Sequence, residues 1–326
     1  MKKTLLALAV MAAAGSANAA EVYKTDDATV DFYGQLREYV EFSDVDGDDD
    51  AKIDKSSSRW GVNLSYQAAQ DLAVLGNVEM AVEGGDLRTH YIGFSNDSYG
   101  TVTFGQHNPL YDDIYGAIYA YNYDMGPYAS EGFGDNFYQS SSINYQISSD
   151  AAWLKAQYNL PENDSNPEMG EAYVGTAFGD LAVHVGGAFM SDKTGAETDP
   201  DLSGIKNVSN DYDATYVEAT AEYYIGSGVI GLTYAYNKAD ANDQDFKVES
   251  NSFHLGAKFE VVEKTSVYGN YQYWDFDGDT DETQNIILGV DHIFAKWARV
   301  YAEYNFKSQE GKDDANKLAL GARVYW

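Results

Sequence analysis

The segment 108–137, NPLYDDIYGAIYAYNYDMGPYASEGFGDNF, holds the residues of this chain best suited to chemistry. Asp112, Asp113, Asp124, Glu131 and Asp135 supply carboxylates. Tyr111, Tyr115, Tyr119, Tyr121, Tyr123 and Tyr128 supply phenols. Carboxylates at this density attract cations. Phenol rings can stack on sugar rings, but they also pack a loop against a wall, and packing is the preferred reading here. Other chemistry has less support. His90, His107, His184, His254 and His292 are scattered, with no metal-ligand spacing. No Ser–His pair with an orienting Asn or Asp can be singled out as a hydrolase site. The stretch SDVDGDDDAK suggests a calcium loop. Counted from Asp44, however, the sixth position is Asp49 instead of Gly and the twelfth is Lys55 instead of Glu. Loose divalent binding there stays open, with a solvated acidic loop preferred. No enzyme, cofactor or metal site is expected.

The elements that position these residues follow from composition. The chain of 326 residues has a net charge of −31, which argues against nucleic acid as a partner because phosphates need Lys and Arg. It has no cysteine, so no disulfide or thiolate site is available. With 28 Tyr, 14 Phe, 5 Trp and only 5 Pro, the composition is that of β-structure and not of a disordered acidic chain. Residues 1–19, MKKTLLALAVMAAAGSANA, have two lysines, a short apolar run and a small-x-small end. They read as a signal peptide cleaved after Ala19, leaving 20–326 as the exported domain.

Alternation with period 2 runs through the rest. In 29–42, Val30, Phe32, Leu36, Val40 and Phe42 share one face, and Asp31, Tyr33, Gln35, Arg37 and Glu41 the other. Sixteen strands are expected: 29–42, 56–67, 72–84, 87–95, 100–107, 138–147, 151–159, 169–178, 180–190, 212–225, 228–238, 249–261, 264–276, 283–293, 296–307 and 316–326. Short links rotate with longer acidic ones such as 43–55, 191–211 and 308–314. An even count with one trimmed and one elaborated end is the pattern of an all-β, antiparallel, transmembrane 16-stranded β-barrel of the cell outer membrane. A secreted sandwich or propeller is the soluble alternative. The phase of its strand puts Arg59 on the lumen side.

The sequence resembles the general diffusion porins of Gram-negative outer membranes. AEVYK, VDFYGQL, SRWGVNL, LRTHYIGF and YGTVTFGQHNPLYDD carry the resemblance; past residue 150 it rests mainly on periodicity and loop rhythm. It implies a homotrimer in contact with lipopolysaccharide and outer-membrane lipid. It also implies a third outer loop, 108–137, folded into the pore. YDD (111–113) matches the start of that loop, and EGFGDN (131–136) loosely matches its acidic tip. Arg59 and Arg88, with Arg37 as a further candidate, occupy the family's positions for a basic cluster facing the loop acids. Opposed charges across a narrow aqueous path orient dipoles and select ions. Gln35 stands where the family often has Lys, and Gln139 and Ser140 fall where it often has Arg. That thinner basic side tilts the expectation toward cations. Leu318, Leu320, Val324 and Trp326 match the terminal signal read by the barrel assembly machinery, with Trp in place of the usual Phe. The expected function is passive diffusion of ions and small hydrophilic solutes. The alternatives are a saccharide-preferring channel, a non-channel barrel acting as adhesin or receptor, and a lipid hydrolase.

Overall fold

The computed structural model describes residues 20–45, 47–55, 57–114, 116–127, 138–193, 211–242, 247–277 and 282–326. The first strands are β1 (Ala20–Lys24), β2 (Ala28–Val45), β3 (Asp48–Asp54), β4 (Arg59–Ala69), β5 (Leu72–Ala81), β6 (Leu87–Asn96), β7 (Gly100–His107), β8 (Gln139–Ser148) and β9 (Ala152–Asn159). They are followed by β10 (Glu168–Phe178), β11 (Leu181–Asp192), β12 (Tyr212–Ile225), β13 (Gly228–Ala241), β14 (Lys247–Val262), β15 (Thr265–Asp277), β16 (Thr283–Ala295), β17 (Ala298–Gln309) and β18 (Ala315–Tyr325). One helical turn, α1 (Leu110–Asp113), lies in the long connection after β7. From β4 onward each strand pairs antiparallel with the next, and β18 returns to β2, so the sheet closes on itself. Closure leaves no edge of unpaired N–H and C=O groups, the condition for a sheet to sit in lipid.

The barrel has sixteen staves. Strands β3 and β4 are the two halves of one stave, both paired with β2. The stretch 43–55, expected to be a long acidic loop, is mostly strand. β2 runs to Val45, β3 starts at Asp48, and the turn passes through Gly47 at φ +75°, a conformation that suits glycine. Alternation carries the strand onward, with Ala51 and Ile53 opposite Phe42 and Val40 on the outer face. The other expected strands agree with the observed ones to within a few residues.

The two faces have opposite chemistry. Outward, Leu36, Val40 and Phe42 lie beside Val324, Leu320 and Leu318. Ile92 and Leu288 are 68% and 58% exposed, which fits a lipid surround and would be costly in water. Inward, Gln35, Glu41, Asn77, Glu79, Gln157, Glu171, Gln272 and Glu303 are buried. The interior is therefore polar, apart from one apolar cluster where Leu110, Tyr111 and Ile114 meet Met169, Tyr173, Met190 and Tyr216.

The seam joins both ends of the described chain. The Trp326 N–H donates to the Gly34 carbonyl at 3.1 Å, and the Gly34 N–H donates back at 3.0 Å. Two residues earlier in β2, Ala20 pairs with Phe32, so β1 takes up the edge that β18 leaves. The sequence reading had no strand at β1. The Trp326 indole lies over Gly34 and beside Phe32, with ring centroids 6.1 Å apart. A Cβ at position 34 would come within 2.3 Å of the indole. Gly34→Ala should therefore lift Trp326 from the seam and destabilise the barrel by about 1–3 kcal/mol, the usual cost of overpacking. The temperature at which the folded band is lost on unboiled gels should fall, and an unchanged temperature would refute this packing.

Candidate functional site

The connection from β7 to β8 folds into the lumen, and inward-pointing side chains of the far wall hold it there. It begins at α1, where the Leu110 and Tyr111 N–H groups each donate to a Glu171 carboxylate oxygen at 3.0 Å. These are the free donors of a first helical turn, and a carboxylate suits them. Gln157 Nε2 donates to the Asn108 carbonyl at 3.1 Å. Further on, Thr233 Oγ1 accepts the Ala117 N–H, and Asn270 grips both the Ala117 carbonyl and the Tyr119 N–H. Gln272 clamps Met125 with two bonds, accepting its N–H at 3.1 Å and donating to its carbonyl at 3.0 Å. Asn237 and Ser252 both donate to the Pro127 carbonyl. Gly256 leaves room for the loop, since a Cβ there would lie 2.3 Å from the Ala117 carbonyl oxygen.

Glu303 of β17 is the strongest of these anchors. It is buried and accepts three consecutive backbone N–H groups, from Tyr121, Asn122 and Tyr123, at 2.7 to 3.0 Å. The Tyr268 hydroxyl adds a fourth bond at 2.8 Å. Bonds to a buried carboxylate are strong, and unpaired N–H groups in their place would be costly.

The expected site residues fall into separate groups. Asp113 points into a recess of about 310 Å³ whose lining includes Arg59, Glu79, His107 and Lys155. Arg59 and this loop acid thus share one space. Asp112 lies in the same helical turn and is half-buried. Arg88 turns away from the described loop acids, donating to Glu79 at 2.8 Å and to the Tyr138 hydroxyl at 2.8 Å. Glu79 also lies 3.5 Å from Arg59 Nε, so one wall carboxylate is shared by two wall arginines. Arg37 donates to the Tyr121 carbonyl at 3.2 Å, a bond to the loop backbone and not to a loop acid. Asp124 is a loop residue close to Glu303, Arg323 and Arg37. Burial and the nearby Glu303 push its carboxyl up to about 6, against the pull of Arg323 and Arg37. Glu131 and Asp135 lie outside the described residues.

Sequence reasoning missed most of the wall. Lys155, Lys258, Arg299 and Arg323 face the lumen beside the residues named above, and Glu171, Asn270, Gln272 and Glu303 hold the loop. Their signal was present in the strand phase, because each occupies the polar parity of an alternating strand. What sequence could not supply was the path of the loop, which selects the positions that matter. Glu303→Ala would leave three loop N–H groups and one phenol without their acceptor, each costing about 1–3 kcal/mol. The loop should then detach near Tyr121–Tyr123, and single-channel conductance should rise. A conductance equal to that of the parent would show that the remaining clamps suffice.

Comparison with known proteins places this architecture. Residues 5–312 match the family model described as Gram-negative porin. The chain is 27% identical to the porin-like protein H of Photobacterium profundum, covering 84% of this chain and 83% of that protein. It is 26% identical to a major outer membrane protein of Pasteurella multocida over the full length of both. Among solved structures, a loop-deletion form of OmpT, an outer membrane protein of Vibrio cholerae, aligns with a TM-score of 0.82 at 35% identity, covering 92% of this chain and all of that one. The trimer form of that OmpT aligns at 0.78 with 33% identity, again over 92% of this chain and all of that one. With the closed barrel, the polar lumen and the inward loop, these matches establish that the chain is an outer-membrane β-barrel protein belonging to the Gram-negative porin family.

Proposed function

We propose that the protein is a passive channel for ions and small hydrophilic solutes, with a preference for cations and no catalytic step. The observation that carries this reading is the polar lumen narrowed by a clamped loop. A structural core would be filled with apolar side chains, whereas this interior is lined by carboxylates, amides and guanidiniums. Solutes move down their gradients, sorted by size and charge where the loop crosses the barrel. The cation preference is supported by the net charge of −31 and by Asp113 in the recess it shares with Arg59. The saccharide reading has less support. Tyr111 is buried against Tyr216, the Tyr119 hydroxyl bonds Glu222, and Tyr121 is covered by cationic side chains, so these rings pack the loop and do not present free faces.

Residues 1–19 act in this reading as an export signal, and the terminal residues Leu318, Leu320, Val324 and Trp326 as the handle for barrel assembly. The barrel works as a homotrimer. The trimer form of the related Vibrio cholerae protein supports this, and so does Glu38. Glu38 is exposed on the outer face between Leu36 and Val40, opposite Ala322. A carboxylate in the lipid band is unfavourable, so a subunit interface along β2 and β18 is the better place for it. Unboiled protein should migrate as a slow oligomer in SDS and collapse on heating, and Glu38→Lys should lower the temperature of that collapse. A monomer by light scattering in mild detergent would refute the assembly.

Selectivity is read from the reversal potential in a KCl gradient across a planar bilayer. The parent should prefer potassium, most strongly in dilute salt, because the Debye length shrinks to ~3 Å at 1 M and screens the acidic mouth. Arg59→Ala should raise that preference and Asp113→Asn should lower it. Acidification has a defined sign. The Asp124 carboxyl, with its pKa pushed up to about 6, takes up a proton between pH 7 and 5, so negative charge leaves the constriction and cation preference falls. Asp124→Asn should lose that step while keeping the salt dependence. A chloride preference in the parent at low salt would overturn the selectivity reading, and an absence of conductance would overturn the channel.

A further inference from the structure

Three arginines stand in one cross-strand row on the inner wall. Arg299 of β17 pairs with Arg323 of β18, and Arg323 pairs with Arg37 of β2. Adjacent strands are about 4.8 Å apart, so three full positive charges occupy neighbouring positions. Like charges opposite one another in a sheet repel, and a guanidinium cannot relieve this by losing its proton. Among the described residues, none of the three forms an ion pair with a carboxylate, although other lumen cations such as Arg88 and Lys258 do.

What the row meets instead is Tyr121. Its carbonyl oxygen accepts from Arg37 Nη2 at 3.2 Å and from Arg323 Nη2 at 2.5 Å. Its hydroxyl accepts from Arg299 Nη1 at 2.6 Å and from Lys258 Nζ at 3.1 Å. Its ring centroid lies 4.4 Å from the Arg323 guanidinium carbon. A carbonyl, a phenol and a π-face offer only partial charge, so the row stays electropositive. Two nearby carboxylates are engaged elsewhere: Glu303 with the loop N–H groups and Tyr268, and Asp291 with Lys258 at 2.9 Å. Asp124 lies close enough to be influenced by Arg37 and Arg323. Arg323 Nε is buried without a hydrogen-bond partner. All three residues are half-buried.

We propose that the row Arg37–Arg323–Arg299 is a binding station for a phosphate-type oxyanion inside the lumen. Each guanidinium presents a planar fork of N–H donors that matches an oxyanion with two parallel bonds. A tetrahedral dianion bridging two neighbours would neutralise the repulsion along the row. The station lies near the short-turn end of the barrel, since Arg323 is three residues from Trp326 and Arg299 follows the turn that ends β16. The ligand is inorganic phosphate or the phosphate group of a permeating solute.

The test is calorimetric titration of the purified full-length protein in detergent, at fixed ionic strength. Inorganic phosphate is one arm and hexose 6-phosphate another, with unphosphorylated hexose as the control. This readout needs no ion flow, so it stands even if the conductance experiments fail. Phosphate should give saturable binding, and chloride at the same ionic strength should not. Tighter binding of hexose phosphate than of inorganic phosphate would identify a solute-borne group as the ligand; the reverse would identify the free ion. The double variant Arg299→Gln/Arg323→Gln should weaken binding at least about tenfold, as expected for losing charge-assisted bonds. Lys312→Gln, in an outer loop, should leave it unchanged. Tyr121→Phe removes no wall charge and frees the donors of Arg299 and Lys258, so affinity should rise about threefold for a regained hydrogen bond. Absence of saturable binding in the parent, or equal affinity in the double variant, would overturn the proposal. If the double variant does not assemble, Tyr121→Phe decides, and an unchanged or weaker affinity overturns it.

Discussion

Everything in this molecule depends on the pairing of β18 with β2. An open sheet would present a full edge of N–H and C=O groups to hydrocarbon, where nothing can satisfy them. Closing the ring removes both edges at once and dictates what each residue faces. Successive side chains point alternately to lipid and to the lumen, so a single parity decides whether a residue is apolar or polar. Leu36, Val40, Leu320 and Val324 follow one parity, and Arg37, Glu41, Arg323 and Gln35 the other. The seam concentrates this logic: Trp326 pairs with Gly34, and its ring is accommodated only because position 34 has no side chain.

A polar interior creates a second requirement. The amides and carboxylates of the far wall need partners, and a loop entering the lumen needs partners for its own backbone. Each supplies what the other lacks. Asn270, Gln272, Asn285 and Glu303 face inward in register, and the loop backbone between Ala117 and Met125 passes close enough to use them all. The narrowing of the channel and the satisfaction of its wall are the same set of bonds.

The barrel was legible in the sequence because alternation and turn length are local signals. Strands such as β7 and β12 have the bounds expected of them. The exceptions have physical causes. The acidic run after Phe42 looks like a loop by composition, yet Ala51 and Ile53 keep the outer parity and hold β3 in the sheet. The strand at Ala20–Lys24 has no strong alternation and forms because β18 leaves part of β2 unpaired. The site was legible only in part. Arg59 and Asp113 share a recess, whereas Arg88 is taken up by Glu79 and Arg37 by a loop carbonyl. Arg299 and Arg323 went unnoticed because their meaning lies in cross-strand adjacency, which depends on a register joining residues far apart in the chain.

For the channel proposed above, the make-up of the clamp bears on the current it would carry. The loop is held mainly by neutral amides and by carboxylates already saturated with backbone N–H groups. Each ion in transit brings a strong field of its own within a few ångströms of these contacts. A loop fastened by exposed ion pairs would have its fastenings contested at every passage. Amide clamps offer a passing ion little to exchange with. In the channel proposed above, a clamp of this make-up would give a steady open level with little flicker.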